Sequence, residues 1–201
     1  MPDPASFTDD ENWSGGFYEL SLQWDGRDGQ GLQRGLSALW GAAAVDGCYG
    51  SRSHEPGDQE EVPCTVESLM AFGHLRGTVL LPSGDRVVCG CVTLGGDGEP
   101  EWLDFYLPLG ALARVDQRIG GFPFDSRSGE DSLAWRRPLD GWLAAVGTRI
   151  FRDAPFRLGL IGFELDGRIS SNQINGHAPD PRWEGYLLPV GEDLRYEPAT
   201  R

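Results

Sequence analysis

Between Phe17 and Trp24 the chain alternates without a break: Tyr18, Leu20, Leu22 and Trp24 fall on one side, Glu19, Ser21 and Gln23 on the other. A period of two marks a half-buried strand. After a turn-rich stretch from Asp25 to Gly31 the period changes. Leu32, Leu36, Leu39, Trp40 and Ala43 recur at helical spacing, which predicts an amphipathic helix ended by Gly47. Residues 46–63 are polar, with one strand-like piece at Gly47 to Ser51, and Val66 to Phe72 reads as a short helix. The clearest signal follows. Gly77 to Leu81, a Pro82-Ser83-Gly84-Asp85 turn and Arg86 to Leu94 predict a hairpin. A second turn from Gly95 to Pro100 leads into a third strand, Trp102 to Leu107.

Pro108 to Val115 has room for one or two helical turns, and residues 116–134 read as a loop carrying an apolar Gly121-Phe122-Pro123-Phe124 insert. Pro138 suits the first position of a helix, where its missing N–H costs nothing. Leu139, Trp142, Leu143, Val146 and Ile150 then trace a second amphipathic helix, stopped by Pro155. Phe156 to Leu165 is nearly continuous in apolar character, as a central strand is. A polar loop from Asp166 to Glu184 precedes a last strand, Gly185 to Val190. Strands joined mainly by short connections predict an α+β fold: a mostly antiparallel sheet of about five to seven strands with two main amphipathic helices on one face. A split β-α-β arrangement with insertions is the variant topology. Residues 1–16, with two Pro, an Asp9-Asp10-Glu11 run and Gly15-Gly16, read as a flexible N-terminal segment, and residues 17–201 as a single domain.

Composition narrows the chemistry. All 17 basic residues are Arg. Without a lysine there is no Schiff base, no pyridoxal-phosphate anchor and no phosphate-loop lysine. The absence of Lys beside 29 Gly points to a GC-rich, bacterial genome. The net charge of −14 is uneven: residues 1–75 hold 13 acids against Arg27, Arg34 and Arg52, and the remainder holds 18 acids and 14 Arg. Such a balance repels nucleic-acid backbones and anionic membrane surfaces, and it steers a cationic protein partner toward the N-terminal part. With no apolar leader in residues 1–16 and no run long enough to span a bilayer, the expected location is cytoplasmic. The four cysteines (48, 64, 89 and 91) are then expected as reduced thiols.

Motifs exclude more than they identify. Cys89 and Cys91 share one face of a predicted strand, but no Cys-x-x-Cys pair or zinc spacing accompanies them, so neither a metal nor a cofactor is expected. There is no Gly-x-Ser-x-Gly elbow and no His-Glu-x-x-His pair, and no catalytic residue is assigned. Two features stand apart. Trp135, Arg136 and Arg137 precede the predicted helix start at Pro138, where two guanidinium groups beside helix N–H groups suit an anion. The loop 170–184 is long and rich in hydrogen-bonding side chains. Asn172, His177, Arg182 and Trp183 offer it polar anchors, a proton carrier, an anion clamp and an aromatic wall. The leading expectation is a non-catalytic binding protein, of the acidic inhibitor or immunity-protein kind, that docks a basic protein. The alternative is an enzyme or sensor holding an anionic small molecule between Arg136/Arg137 and the 170–184 loop.

Overall fold

A computed structural model describes residues 2–25, 30–95, 100–120, 129–165, 169–174 and 176–201. Among the described residues eight strands form one antiparallel sheet: β1 (Phe17–Trp24), β2 (Asp46–Tyr49), β3 (Leu75–Leu80), β4 (Arg86–Leu94), β5 (Glu101–Pro108), β6 (Leu158–Phe163), β7 (Gly185–Val190) and β8 (Asp193–Glu197). Their order is β2-β3-β4-β5-β1-β6-β7-β8. Five α-helices accompany them among the described residues: α1 (Gln30–Ala43), α2 (Val66–Phe72), α3 (Leu109–Val115), α4 (Gly129–Asp153) and α5 (Ser171–Ile174). The α+β class holds. The strand count among the described residues is eight rather than five to seven, because β8 alternates over only five residues, with Leu194 and Tyr196 its only apolar members, too short a run to stand out at a sheet edge.

β1 lies in the middle of the sheet, paired with β5 on one side and β6 on the other. Its apolar side chains Tyr18, Leu20, Leu22 and Trp24 join Leu32, Leu36 and Leu39 of α1 and Leu139, Leu143, Val146 and Ile150 of α4 in one core cluster. The glycine that interrupts the α1 stripe has a packing reason. A Cβ on Gly35 would stand 2.7 Å from the Trp24 indole, so only glycine lets helix and ring approach so closely.

Three expectations are corrected. β1 is not half-buried: Glu19, Ser21 and Gln23 are buried as well. The connection after β6 crosses that face. The Leu165 amide donates to Glu19 Oε2 at 2.6 Å and the Ser171 amide donates to Gln23 Oε1 at 2.9 Å. The polar side chains serve as acceptors for the covering backbone, while Leu165 and Ile174 join Trp102, Leu158, Leu160, Tyr186 and Leu188 in a second apolar cluster. Second, residues 2–16 are packed against the body and are no free lead-in. Phe7 and Asn12 are fully buried, and the Glu55 carboxylate accepts from the Phe7 and Thr8 amides and from the Ser6 and Thr8 hydroxyls. Third, α4 begins at Gly129 and carries Pro138 inside it, so residues 129–134 are helical rather than loop. Its buried face continues through Ser132, Leu133, Trp135, Arg136 and Asp140, and the polar members of that series break the apolar period. The Gly121–Phe124 insert lies outside the described residues.

Candidate functional site

The residues singled out in the sequence divide among three places. Arg136 is buried in mid-helix, not poised at a helix N-terminus. Its Nε donates to the Tyr18 hydroxyl at 3.2 Å, its Nη1 to the Arg201 carbonyl at 3.1 Å, and its Nη2 to the Trp183 carbonyl. Tyr18 in turn donates to Asp140. Burial pushes the Asp140 carboxyl up to about 6, against the opposing pull of the Tyr18 hydroxyl and the Arg136 guanidinium. Trp135 packs edge-on to Tyr18, with ring centroids 5.8 Å apart. The two arginines diverge: Arg137 is exposed, on another side of α4.

The Arg136 and 170–184 features do converge, but through backbone. The Trp183 carbonyl meets the Arg136 guanidinium, and the Arg201 guanidinium sits 5.1 Å from the Trp183 ring centroid. Arg182 donates to the Pro198 and Pro179 carbonyls and lies near Glu197. An anion placed between Arg136 and this loop would have to displace carbonyls that already accept from Arg136. Asn172 lies elsewhere, lining a cavity of about 840 Å³ at the Trp24 end of the sheet, and His177 is exposed.

A different surface draws attention at the β2 edge. Residues 46–72 hold six carboxylates (Asp46, Glu55, Asp58, Glu60, Glu61 and Glu67) against Arg52 alone. The Val62 amide donates to the Cys48 carbonyl at 2.8 Å, which lays residues 59–63 alongside β2. Thr65 then caps α2, its hydroxyl accepting from the Ser68 amide at 3.1 Å. Gln33 of α1 fixes the entry to that helix: its Oε1 accepts from the Val66 amide and its Nε2 donates to the Cys64 carbonyl. With seven residues, α2 buries Leu69 and leaves Met70 71% and Phe72 49% exposed. Thr93 Oγ1 approaches the Met70 sulfur at 3.9 Å, and Leu94 beside it is also exposed. Of the six carboxylates Glu67 shares α2 with these exposed side chains, Asp46 pairs with Arg86 and Glu55 is held by residues 6–8, while Asp58, Glu60 and Glu61 are exposed in the segment that leads into the helix. Sequence reasoning found the charge but placed Met70 and Phe72 in a generic short helix, because which side a two-turn helix buries depends on its neighbours.

The remaining titratable groups are internal. Burial pushes Asp104 up to about 7, with the Ser21 hydroxyl bonded to it in partial opposition. The Cys48 and Cys64 thiols interact, raising Cys48 and lowering Cys64, while burial raises Cys89 and Cys91. His74 Nδ1 lies 2.9 Å from the Tyr106 hydroxyl, and burial lowers its pKa, reinforced by Arg76 and Arg52. Among the described residues no group of three or more His, Cys, Asp or Glu side chains is arranged to hold a metal ion, and no helix is long and apolar enough to cross a membrane. Comparison with known protein families, curated proteins and solved structures finds no match to this chain.

Proposed function

We propose that the chain is a non-catalytic binding protein that docks a basic protein partner through α2 and the acidic segment leading into it. The observation that carries this reading is the pair of exposed side chains, Met70 and Phe72, set in a segment where carboxylates outnumber arginines six to one. Protein interfaces pair an apolar, water-excluding centre with a charged rim that sets partner choice and encounter rate. The partner that fits is a protein surface with an apolar knob or groove ringed by Lys and Arg. The acids with raised pKa support binding over catalysis: Asp104 and Asp140 are 1% and 2% exposed and engaged by Ser21 and Tyr18, inside the fold.

The test uses the immobilised chain in lysate of the cells that make it, beside two variants. One combines Glu60→Gln, Glu67→Gln and Met70→Ser, all exposed positions; the other, Val190→Ser, alters an exposed apolar residue on β7. The wild type and the Val190 variant are expected to retain the same basic protein, and the α2 variant to lose it. Equal retention by the α2 variant overturns the reading, as does a retained partner of acidic charge.

A further inference from the structure

We propose that the cavity at the Trp24 end of the sheet binds a zwitterionic small molecule with a flat apolar body, an aromatic amino acid being the simplest of that class. The cavity lies where β1 and β7 end and β5 and β6 begin, beside the first turn of α1 and the last turn of α4. Its volume of about 840 Å³ falls in the range of small-molecule sites, about 300–1,000 Å³. Trp24, Phe151 and Phe156 form one wall, with Ile174 and Leu188 contributed from the other face of the sheet. Trp24 and Phe156 meet edge to face at 5.9 Å, and Phe151 and Phe156 at 5.1 Å, so the aromatic wall is braced by its own contacts.

Polar groups select the ligand class. Four charged side chains line the cavity: Asp25, Arg34, Glu101 and Arg157. Asp25 and Arg157 neutralise one another in an ion pair. Arg34 and Glu101 meet no partner among the described residues, and both stand next to Trp24. Glu101 is its direct cross-strand neighbour on β5, on the same face of the sheet. Arg34 immediately precedes Gly35, the residue against which the indole packs. A plain anion would meet Glu101 and the field of a chain of net charge −14; a plain cation would meet Arg34. A molecule carrying both an ammonium and a carboxylate satisfies both.

The independent observation is Trp24 itself. The ring is 6% exposed, and its Nε1–H, a buried donor, has no acceptor. Leaving such a donor unpaired costs stability. The indole edge at Cη2 and Cζ2 would stand 2.7 Å from a Gly35 Cβ, with Cε2, the carbon bonded to Nε1, at 3.4 Å, and Gly31 one turn earlier lines the cavity. A carboxylate drawn in by Arg34 supplies the missing acceptor once the indole turns enough to present the N–H, which has almost no accessible surface as the ring is packed.

The experiment is isothermal titration of the full chain with L-tryptophan, L-phenylalanine, indole-3-propionate (no ammonium) and tryptamine (no carboxylate). The amino acids are expected to bind, and each analogue to bind about tenfold or more weakly, the discrimination of one lost charge contact. Arg34→Gln should erase the preference for L-tryptophan over tryptamine while keeping that over indole-3-propionate, and Glu101→Gln the reverse. Arg34 is exposed and Glu101 half-buried, and neither has a hydrogen-bond partner among the described residues, so each variant is expected to melt at the wild-type temperature. No heat from any probe at millimolar concentration overturns the proposal. So does equal binding of all four probes, or a preference that neither variant changes. The outcome is separate from partner docking at α2, which neither substitution touches.

Discussion

Asp104 and Ser21 face one another across β5 and β1, both buried beneath the connection that follows β6. The aspartate takes up its proton at about pH 7 in the folded chain, against an ordinary value of 3.8, because burial penalises the charged form more than the Ser21 hydroxyl supports it. The sign follows directly. The folded state holds a proton that the unfolded state has released, so this group's stabilising contribution is complete below about pH 4 and is lost as the pH rises through about 7. Asp140, raised to about 6, acts in the same direction. Glu55 acts in the opposite one. Burial raises its pKa, but the Ser6 and Thr8 hydroxyls and the Phe7 and Thr8 amides together hold it to about 2, so its contribution fades only as the pH falls from about 4.5 through that value. Urea midpoints are therefore expected to rise as the pH is lowered from 8 to 5, with Asp104 supplying up to about 1.4 kcal/mol per pH unit. Asp104→Asn, neutral at every pH, should flatten that slope and match or exceed the wild type at pH 8. An unchanged slope in the variant would mean that Asp104 ionises at little cost where it stands.

At the scale of elements, helices and strands with an apolar period were readable, and those built on polar partners were not. The extents of β1, the β3–β4 hairpin and β7 follow the pattern of their side chains closely, whereas α1 ends at Ala43 and Gly47, its expected stop, lies in β2. The first nine residues of α4 and the N-terminal segment do not. Both are held by side chains that a hydropathy pattern counts as surface: Arg136 and Asp140 in α4, Asn12 and Glu55 around residues 2–16. The N-terminal segment also lacks any period, since its anchor is a single ring. Phe7 is fully buried and meets Trp13 and Tyr49 edge to face at 5.9 and 5.6 Å. The candidate site shows the same limit. Asn172 and Trp183 were recognisable as members of a distinctive loop, but only the register of β1 against β5 brings Glu101 beside Trp24. Truncation of Phe7 to Ala should cost about 3–5 kcal/mol, as for other buried aromatics. A loss below about 1 kcal/mol in urea unfolding would show that residues 2–16 contribute little to the folded body, since exposed positions change stability by no more than about that amount.

Across the whole molecule the sheet order separates two kinds of surface. β2, β3 and β4, with α2 and the acidic segment before it, lie to one side of the central β5–β1 pair; β6, β7 and β8 lie to the other. Residues 1–75 carry a net charge of −10 and the other 126 residues −4; of the first set, β2, α2 and the acidic segment between them lie on the β2–β4 side of the sheet. Exposed carboxylates of this kind add little to folding stability, but they act at a distance on a charged partner. At about 0.15 M salt their field reaches about 8 Å beyond the surface, and at about 1 M only about 3 Å. If α2 docks a basic protein, its association rate should fall at least about tenfold between about 0.05 and 0.5 M salt, with dissociation changing far less. Glu60→Gln with Glu67→Gln should lower the low-salt association rate and reduce the salt slope, whereas Met70→Ser should act mainly by speeding dissociation, because an apolar contact forms only after encounter. Stopped-flow association and dissociation rates over that salt series separate the two effects. An association rate indifferent to salt would remove steering from the account and leave the apolar centre as the sole basis of recognition.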